Sequence, residues 1–251
     1  MENNLVYIQK QNGNWLTENC WIANQWFTRM GYEIKPFEMS SIDLWLNQNI
    51  FPISKKDIVI GGINTLHRII DILKVKQPGI HNPHIYLPQY CGDRNIIETT
   101  LGEFRQEFSI YGKPYFIKPL IEDKLFTGLV INNELDLLKI RIINDATKVL
   151  RSDVINIVSE YRCFVYKGKL VGAKNYTGNF KIIPNWITID NAIQDYKEQP
   201  IAYSIDFACT DKGETLLIEI NDAFGLSYYG FNPMIYCQML KDRWKQIMQT
   251  R

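Results

Sequence analysis

Two short apolar stretches near the C-terminal end, Ala202-Tyr-Ser-Ile-Asp206-Phe207 and Thr215-Leu-Leu-Ile-Glu219-Ile-Asn221-Asp222, constrain the fold more than any other part of the chain. Asp211-Lys-Gly213-Glu between them is a hairpin turn signal. Residues two apart on a strand share a face, so Glu219 and Asn221 point the same way, and the turn brings Asp206 back towards them. The flanking residues Ile205, Phe207, Leu217, Ile218 and Ile220 are apolar, so the hairpin is buried on at least one side. A buried carboxylate needs a partner. Two readings stand at this point: a solvated acidic face, or two carboxylates and an amide oxygen converging as hard ligands for Mg²⁺, with phosphate oxygens completing the octahedron.

The chain has 251 residues, enough to bury a sizeable core in one to two domains. Apolar residues make up 46% and charged residues 22%, as in a soluble globular protein. A net charge of +1 gives no global basic field for nucleic acid, and a local patch stays open. The start, Met-Glu-Asn-Asn-Leu, lacks a basic region and a long apolar run, and no stretch approaches the roughly 20 apolar residues of a membrane span. The expected setting is cytoplasmic, without membrane partners. Five scattered cysteines (Cys20, Cys91, Cys163, Cys209, Cys237), with no CxxC, fit reduced thiols. His81-Asn-Pro-His84 near Cys91 reads as a turn rather than a metal cluster.

Along the chain, Leu5–Gln9, Glu33–Phe37 and Asp57–Ile60 read as strands, and Glu18–Met30 and Ile63–Leu73 as helices, an α/β layout. Gly61-Gly62 is either a tight strand-to-helix turn or a phosphate cradle. The Pro-, Gly- and Asn-rich stretch 77–93 marks a boundary. Beyond it, Arg94–Phe108 is expected as a helix, Tyr115–Lys118 and Gly128–Ile131 as strands, and 148–158 as undecided. Tyr161–Ala173 is a hairpin and Asn191–Glu198 a short helix. Pro233 opens a last helix with the apolar stripe Cys237, Leu240, Trp244 and Ile247.

Other residue types fit phosphate chemistry. Lys118 ends an apolar strand, Pro119 turns the chain, and a polar loop with Lys124, Thr127 and Gly128 follows. Lys118 either snorkels to solvent or holds a phosphate, and Lys124 is a second contact in the latter case. Glu160 and Arg162 share a strand face, either as a surface ion pair or as a ribose acceptor and a cationic clamp; Lys174 adds charge at the end of the same hairpin.

This order of features resembles the ATP-grasp superfamily of carboxylate–amine ligases over roughly residues 94–240, most specifically in Asp206…Glu219-Ile-Asn221. Phe116-Ile-Lys118-Pro119, Phe126-Thr-Gly128 and Asn221-Asp222-Ala-Phe-Gly225-Leu are similar to a clade spread through bacteria and phages and associated with ligating amino acids or peptides. The resemblance implies an α+β ATP-grasp fold, two α+β subdomains gripping ATP over 91–251, preceded by a small α/β lobe over 1–90. It implies that Lys118, Lys124, Thr127 and Gly128 contact phosphates and that Ser152, Asp153 and Val154 read adenine. Glu160 would hold ribose, Arg162 and Lys174 would serve the transferring group, and Asp206, Glu219 and Asn221 would hold Mg²⁺. Arg94 stands where an upstream phosphate-binding lysine is usual. The implied activity activates a carboxylate with ATP for attack by an amine, on an amino acid, peptide or protein; ATP-grasp modification of RNA or a nucleotide, and non-catalytic nucleotide binding, remain alternatives. The stretch 176–190 and Tyr228, Tyr229 and Phe231 are expected around the acceptor pocket. A homodimer, the commonest closed assembly, is compatible with the chain.

Overall fold

The computed structural model describes residues 5–120 and 125–250. The first sheet is built on β1 (Leu5–Gln11), which pairs antiparallel with β2 (Asn14–Trp15) and in parallel with β3 (Glu33–Phe37) on one side and β4 (Ile58–Ile60) on the other. Helix α1 (Glu18–Arg29) starts where the Thr17 hydroxyl accepts from the Cys20 N–H. It ends before Gly31, whose φ of +81° lets the chain turn back. Helix α2 (Met39–Asn47), which the apolar spacing did not disclose, is opened by a reciprocal capping box between Glu38 and Ser41. After β4, Gly61 and Gly62 lead into α3 (Ile63–Ile72). A Cβ at Gly61 would lie 2.7 Å from Gln9 Oε1, the same oxygen that accepts from the Gly62 N–H at 2.8 Å. These glycines therefore make the tight turn.

Helix α4 (Pro83–Tyr86) crosses the boundary stretch. The helix expected over 94–108 divides into β5 (Ile97–Thr100) and α5 (Leu101–Tyr111). Its β-branched start joins a sheet, and Thr100 becomes a cap whose hydroxyl accepts from the Glu103 N–H while the Glu103 carboxylate accepts from the Thr100 N–H. Strands β6 (Tyr115–Pro119) and β7 (Leu129–Ile131) are followed by the short α6 (Glu134–Leu137). Strand β8 (Lys148–Asp153) settles the undecided stretch and completes an antiparallel sheet in the order β5-β8-β6-β7.

The third sheet runs β10-β9-β11-β12, all antiparallel, from β9 (Ile157–Tyr166), β10 (Lys169–Gly178), β11 (Ala202–Thr210) and β12 (Thr215–Asp222). Helix α7 (Trp186–Asp195) starts five residues before the expected position, because Asn185 caps it by accepting from the Ile187 and Thr188 N–H groups. Strand β11 is buried along its whole length.

The last helix, α8 (Pro233–Met248), is capped by Asn232 with proline at its first turn. Cys237, Leu240, Trp244 and Ile247 are all buried, as the stripe requires. They pack into the first sheet rather than onto the third alone: Tyr236, Met239 and Leu240 share a core with Val6, Ile8 and Phe27, and Trp244 and Ile247 share another with Tyr7, Leu66 and Ile69. The Trp244 indole N–H donates to the Asp57 carbonyl at 2.9 Å. Trp244→Ala, which empties a fully buried site joining α8 to the first sheet, is expected to cost about 3–5 kcal/mol in urea unfolding.

Candidate active site

One row across the third sheet carries most of the charge. Lys174 pairs with Arg162, Arg162 with Asp206, and Asp206 with Glu219. Directly opposed residues on neighbouring strands share a face, so two cations and two carboxylates stand side by side. Asn221 is two residues on from Glu219 and shares that face. A bulge follows Asp206 in its pairing with β12, locally re-aiming the strand at this point.

Asp206 is fully buried, and Arg162 nearly so. The guanidinium donates from Nε to Oδ1 at 3.0 Å and from Nη2 to Oδ2 at 2.6 Å, a fork that matches the carboxylate. Nη2 also lies 3.8 Å from Glu219 Oε2, and the Glu219 side chain is 47% exposed. Burial raises the Asp206 carboxyl to about 6, against the opposing effect of Arg162. Burial lowers the Arg162 guanidinium, but the hydrogen bonds and charge of Asp206 outweigh it and leave the group raised. The pair is therefore ionised at neutral pH.

The row opens into a cavity of about 410 Å³, within the range of small-ligand sites. Arg162, Glu219 and Asn221 form one wall, and Lys118, Thr127 and Gly128 of the second sheet form another. Gly128 is needed there: a Cβ would lie 2.6 Å from the Phe116 ring and 3.3 Å from Lys118 Cβ. Among the described residues neither Lys118 nor Lys174 has an ion-pair partner. A second, small cavity of about 20 Å³ brings Lys118 together with Arg94 and Ser152.

The other expected residues are placed as follows. Arg94 donates to the Cys91 carbonyl at 2.7 Å and the Leu217 carbonyl at 2.8 Å, tying the boundary stretch to β12. Asp153 pairs with Lys113, and Val154 is exposed. Glu160 accepts from the Tyr176 hydroxyl, beside the charged row. Lys124 lies outside the described residues. Of the aromatic trio, Tyr229 lines the cavity, while Tyr228 and Phe231 belong to the core. No residue of 176–190 is among the described residues lining the cavity.

Further lining residues were not anticipated: His67, stacked on Phe224 at 5.5 Å, together with His81 and Asp222. Asp222 is gripped by Arg243 Nε at 2.8 Å, from α8, and lies 3.7 Å from His81 Nε2. Nothing local in the sequence marks that grouping, since its members come from separate elements.

Asp206, Glu219 and Asn221 offer two carboxylates and one amide oxygen. The Asn221 amide nitrogen now donates to Glu219 at 2.9 Å; turning the amide over would present its oxygen to the same place. Among the described residues no three His, Cys, Asp or Glu side chains form a metal-holding group. Glu219 and Asn221 face the cavity while Asp206, held by Arg162, stands behind them; oxygen donors of this kind suit a hard cation that takes its remaining oxygens from a bound phosphate and from water.

With this geometry in place, the likeness to known proteins has a physical content. The sequence profile of an ATP-grasp domain, the second family of its clade, matches residues 92–239. The chain belongs to that ATP-grasp family. Among solved structures, D-alanine–D-alanine ligase from Bacillus anthracis complexed with ATP superposes with a TM-score of 0.59 at 14% identity, covering 98% of each chain. N5-carboxyaminoimidazole synthetase from Staphylococcus aureus gives a TM-score of 0.61 at 11% identity, over 96% of this chain and 77% of the other. The ATP-grasp ligase PsnB complexed with minimal precursor gives 0.54 at 12% identity, over 96% and 99%. These solved neighbours are ligases, and at such identities they share the fold. No curated protein matches the chain. No helix among the described residues is long and apolar enough to cross a membrane.

Two buried carboxylates, Asp206 behind the cavity wall and Asp222 on it, give opposite pH signatures. Asp206 has a raised folded-state pKa, so the native state binds its proton more tightly than the unfolded chain does. Its contribution to stability is complete below about 4 and declines as pH rises to about 6. Burial also pushes the Asp222 carboxyl up, but Arg243 and then His81 hold it below its ordinary value. Its contribution is present above about 4 and is lost in acid. In urea unfolding across pH 3–8, the stability of the wild type relative to Asp206→Asn is expected to fall between about 4 and 6, whereas that relative to Asp222→Asn rises from the acid end.

Proposed function

We propose that the protein is an ATP- and Mg²⁺-dependent ligase that joins a carboxylate to an amine on an amino acid, peptide or protein. The observation that carries this reading is the end of the Lys174–Arg162–Asp206–Glu219 row: Arg162 and Glu219, with Asn221, face Lys118, Thr127 and Gly128 across one cavity. Cations flanking paired carboxylates suit a polyphosphate with a hard metal, and family membership and the ligase neighbours support the same chemistry.

In this reading Lys118, Thr127 and Gly128 hold the phosphates from the side of the second sheet, and Lys124, outside the described residues, is assigned as a further phosphate contact. Ser152, Asp153 and Val154 border the adenine, with Arg94 behind them, and Glu160 accepts from ribose. Asp206, Glu219 and Asn221 hold Mg²⁺, which when bound neutralises phosphate charge. Arg162 and Lys174 offset the charge that develops as the substrate carboxylate is phosphorylated to an acyl phosphate with release of ADP. The amine then displaces phosphate. Alignment and exclusion of water suffice for both steps, and no cysteine acts as a nucleophile: all five are buried, and burial raises each thiol above its ordinary pKa. Residues 1–90 form the flanking lobe that walls the acceptor side of a cytoplasmic enzyme.

Thermal unfolding with ATP·Mg²⁺ tests the reading directly. Nucleotide at about a hundred times its Kd should stabilise the wild type by about 2.7 kcal/mol, and Lys118→Ala should lose most of that gain. Glu219→Gln keeps shape and removes charge, so it should abolish Mg²⁺-dependent ADP release while unfolding normally. Full turnover in that variant would place the metal elsewhere, and AMP as product would point to RNA-end or nucleotide activation instead.

A further inference from the structure

Tyr229 occupies a backbone position that its residue type does not favour. The Phe231 N–H donates to the Tyr228 carbonyl at 3.0 Å, closing a four-residue turn. Its central residues, Tyr229 and Gly230, have φ of +46° and +66°. Positive φ at both positions defines a type I′ turn, whose first central place is ordinarily taken by Asn, Asp or Gly. A bulky aromatic there is strained, and such strain persists only where its surroundings over-determine it.

The surroundings do so on both sides of the turn. The Tyr228 N–H is fixed by Asn19 Oδ1 at 2.9 Å. Phe231 stacks on Phe164 with centroids 4.2 Å apart and planes at 7°. Gly172 makes that stack possible, since a Cβ there would lie 2.3 Å from the Phe231 ring. Phe164 is two residues on from Arg162 in β9, on the same face, so the turn is anchored to the strand that carries the guanidinium.

Tyr229 is 45% exposed, so core packing does not account for its place. Its ring lies 4.7 Å from the Arg162 guanidinium carbon and 5.3 Å from the Tyr176 ring, which is itself tied to Glu160. Asp206 holds Nε and Nη2 of Arg162. Among the described residues Nη1 has no hydrogen-bond partner, and it is not sealed in the core. Asp206 fixes one edge of the guanidinium and Tyr229 covers a face.

We propose that Tyr229 is a positioning residue that sets the plane of Arg162, so that its free Nη1 meets the terminal phosphate of bound nucleotide. The inference rests on the ligase reading and goes beyond it by assigning ATP-over-ADP discrimination to a strained turn. Nη1 is one charge-assisted donor, and losing its aim removes what the terminal phosphate adds to binding.

The test compares wild type, Tyr229→Phe and Tyr229→Asn by calorimetry with the non-hydrolysable analogue AMPPNP·Mg²⁺ and with ADP·Mg²⁺, and by thermal unfolding without nucleotide. The Asn variant relieves the turn, so its melting temperature should rise by about 2–4 °C. Its preference for AMPPNP over ADP should fall by about tenfold with ADP affinity unchanged. The Phe variant should keep the wild-type preference. A lower melting temperature for the Asn variant would make the ring a packing element and overturn the proposal. An unchanged preference would also overturn it while leaving the ligase reading intact. Wild-type protein that binds neither nucleotide would remove both.

Discussion

The fork between Arg162 and Asp206 is the interaction on which the site depends. It joins the two central strands of the third sheet inside the protein, with the carboxylate wholly removed from water. An ion pair of this kind is weak evidence for stability, because desolvating two charges offsets most of their attraction. Its value is positional. Once Asp206 is locked to Arg162, the charges beside them, Glu219 on one side and Lys174 on the other, follow from strand register alone. The same pairing explains why one face of a largely apolar sheet tolerates four ionisable groups in a line.

Much of this was legible in the chain, for reasons that differ by element. The hairpin of β11 and β12 was readable because its turn residues and its alternation agree, and alternation dictates which side chains meet. The helix α8 was readable because Pro233 marks its start and a 3.6-residue period marks its buried stripe. The helix expected at Arg94 failed because periodicity cannot distinguish a capped helix from one that begins earlier; only the Thr100–Glu103 box locates its start. Helix α2 was hidden for a related reason, its start being set by the Glu38–Ser41 box rather than by an apolar period.

Within the site, the row in the third sheet was recoverable from local spacing, and the far wall was not. His67, His81 and Asp222 come from a helix, a boundary stretch and a strand end, and only packing assembles them. Asp222 illustrates the limit: alternation alone would set it on the opposite face from Asn221, yet it ends β12 and lines the same cavity, and its partner Arg243 belongs to α8. Tyr229 follows the Asn221-Asp222 pair closely enough in the chain to be placed near the pocket, but no local pattern discloses that its backbone is left-handed.

The docking of α8 into the first sheet has a consequence for how the protein is made. A chain emerging from the ribosome ordinarily completes its N-terminal parts first, at about 5–20 residues per second. Here β1, β3 and β4 leave the tunnel before Trp244 and Ile247 of α8, which complete the core around Tyr7 and Leu66, have been made. That sheet therefore consolidates only once α8 has been made. Until α8 emerges, its parallel strands carry an uncovered apolar surface, and the nascent chain depends on shielding in the crowded cell over that interval.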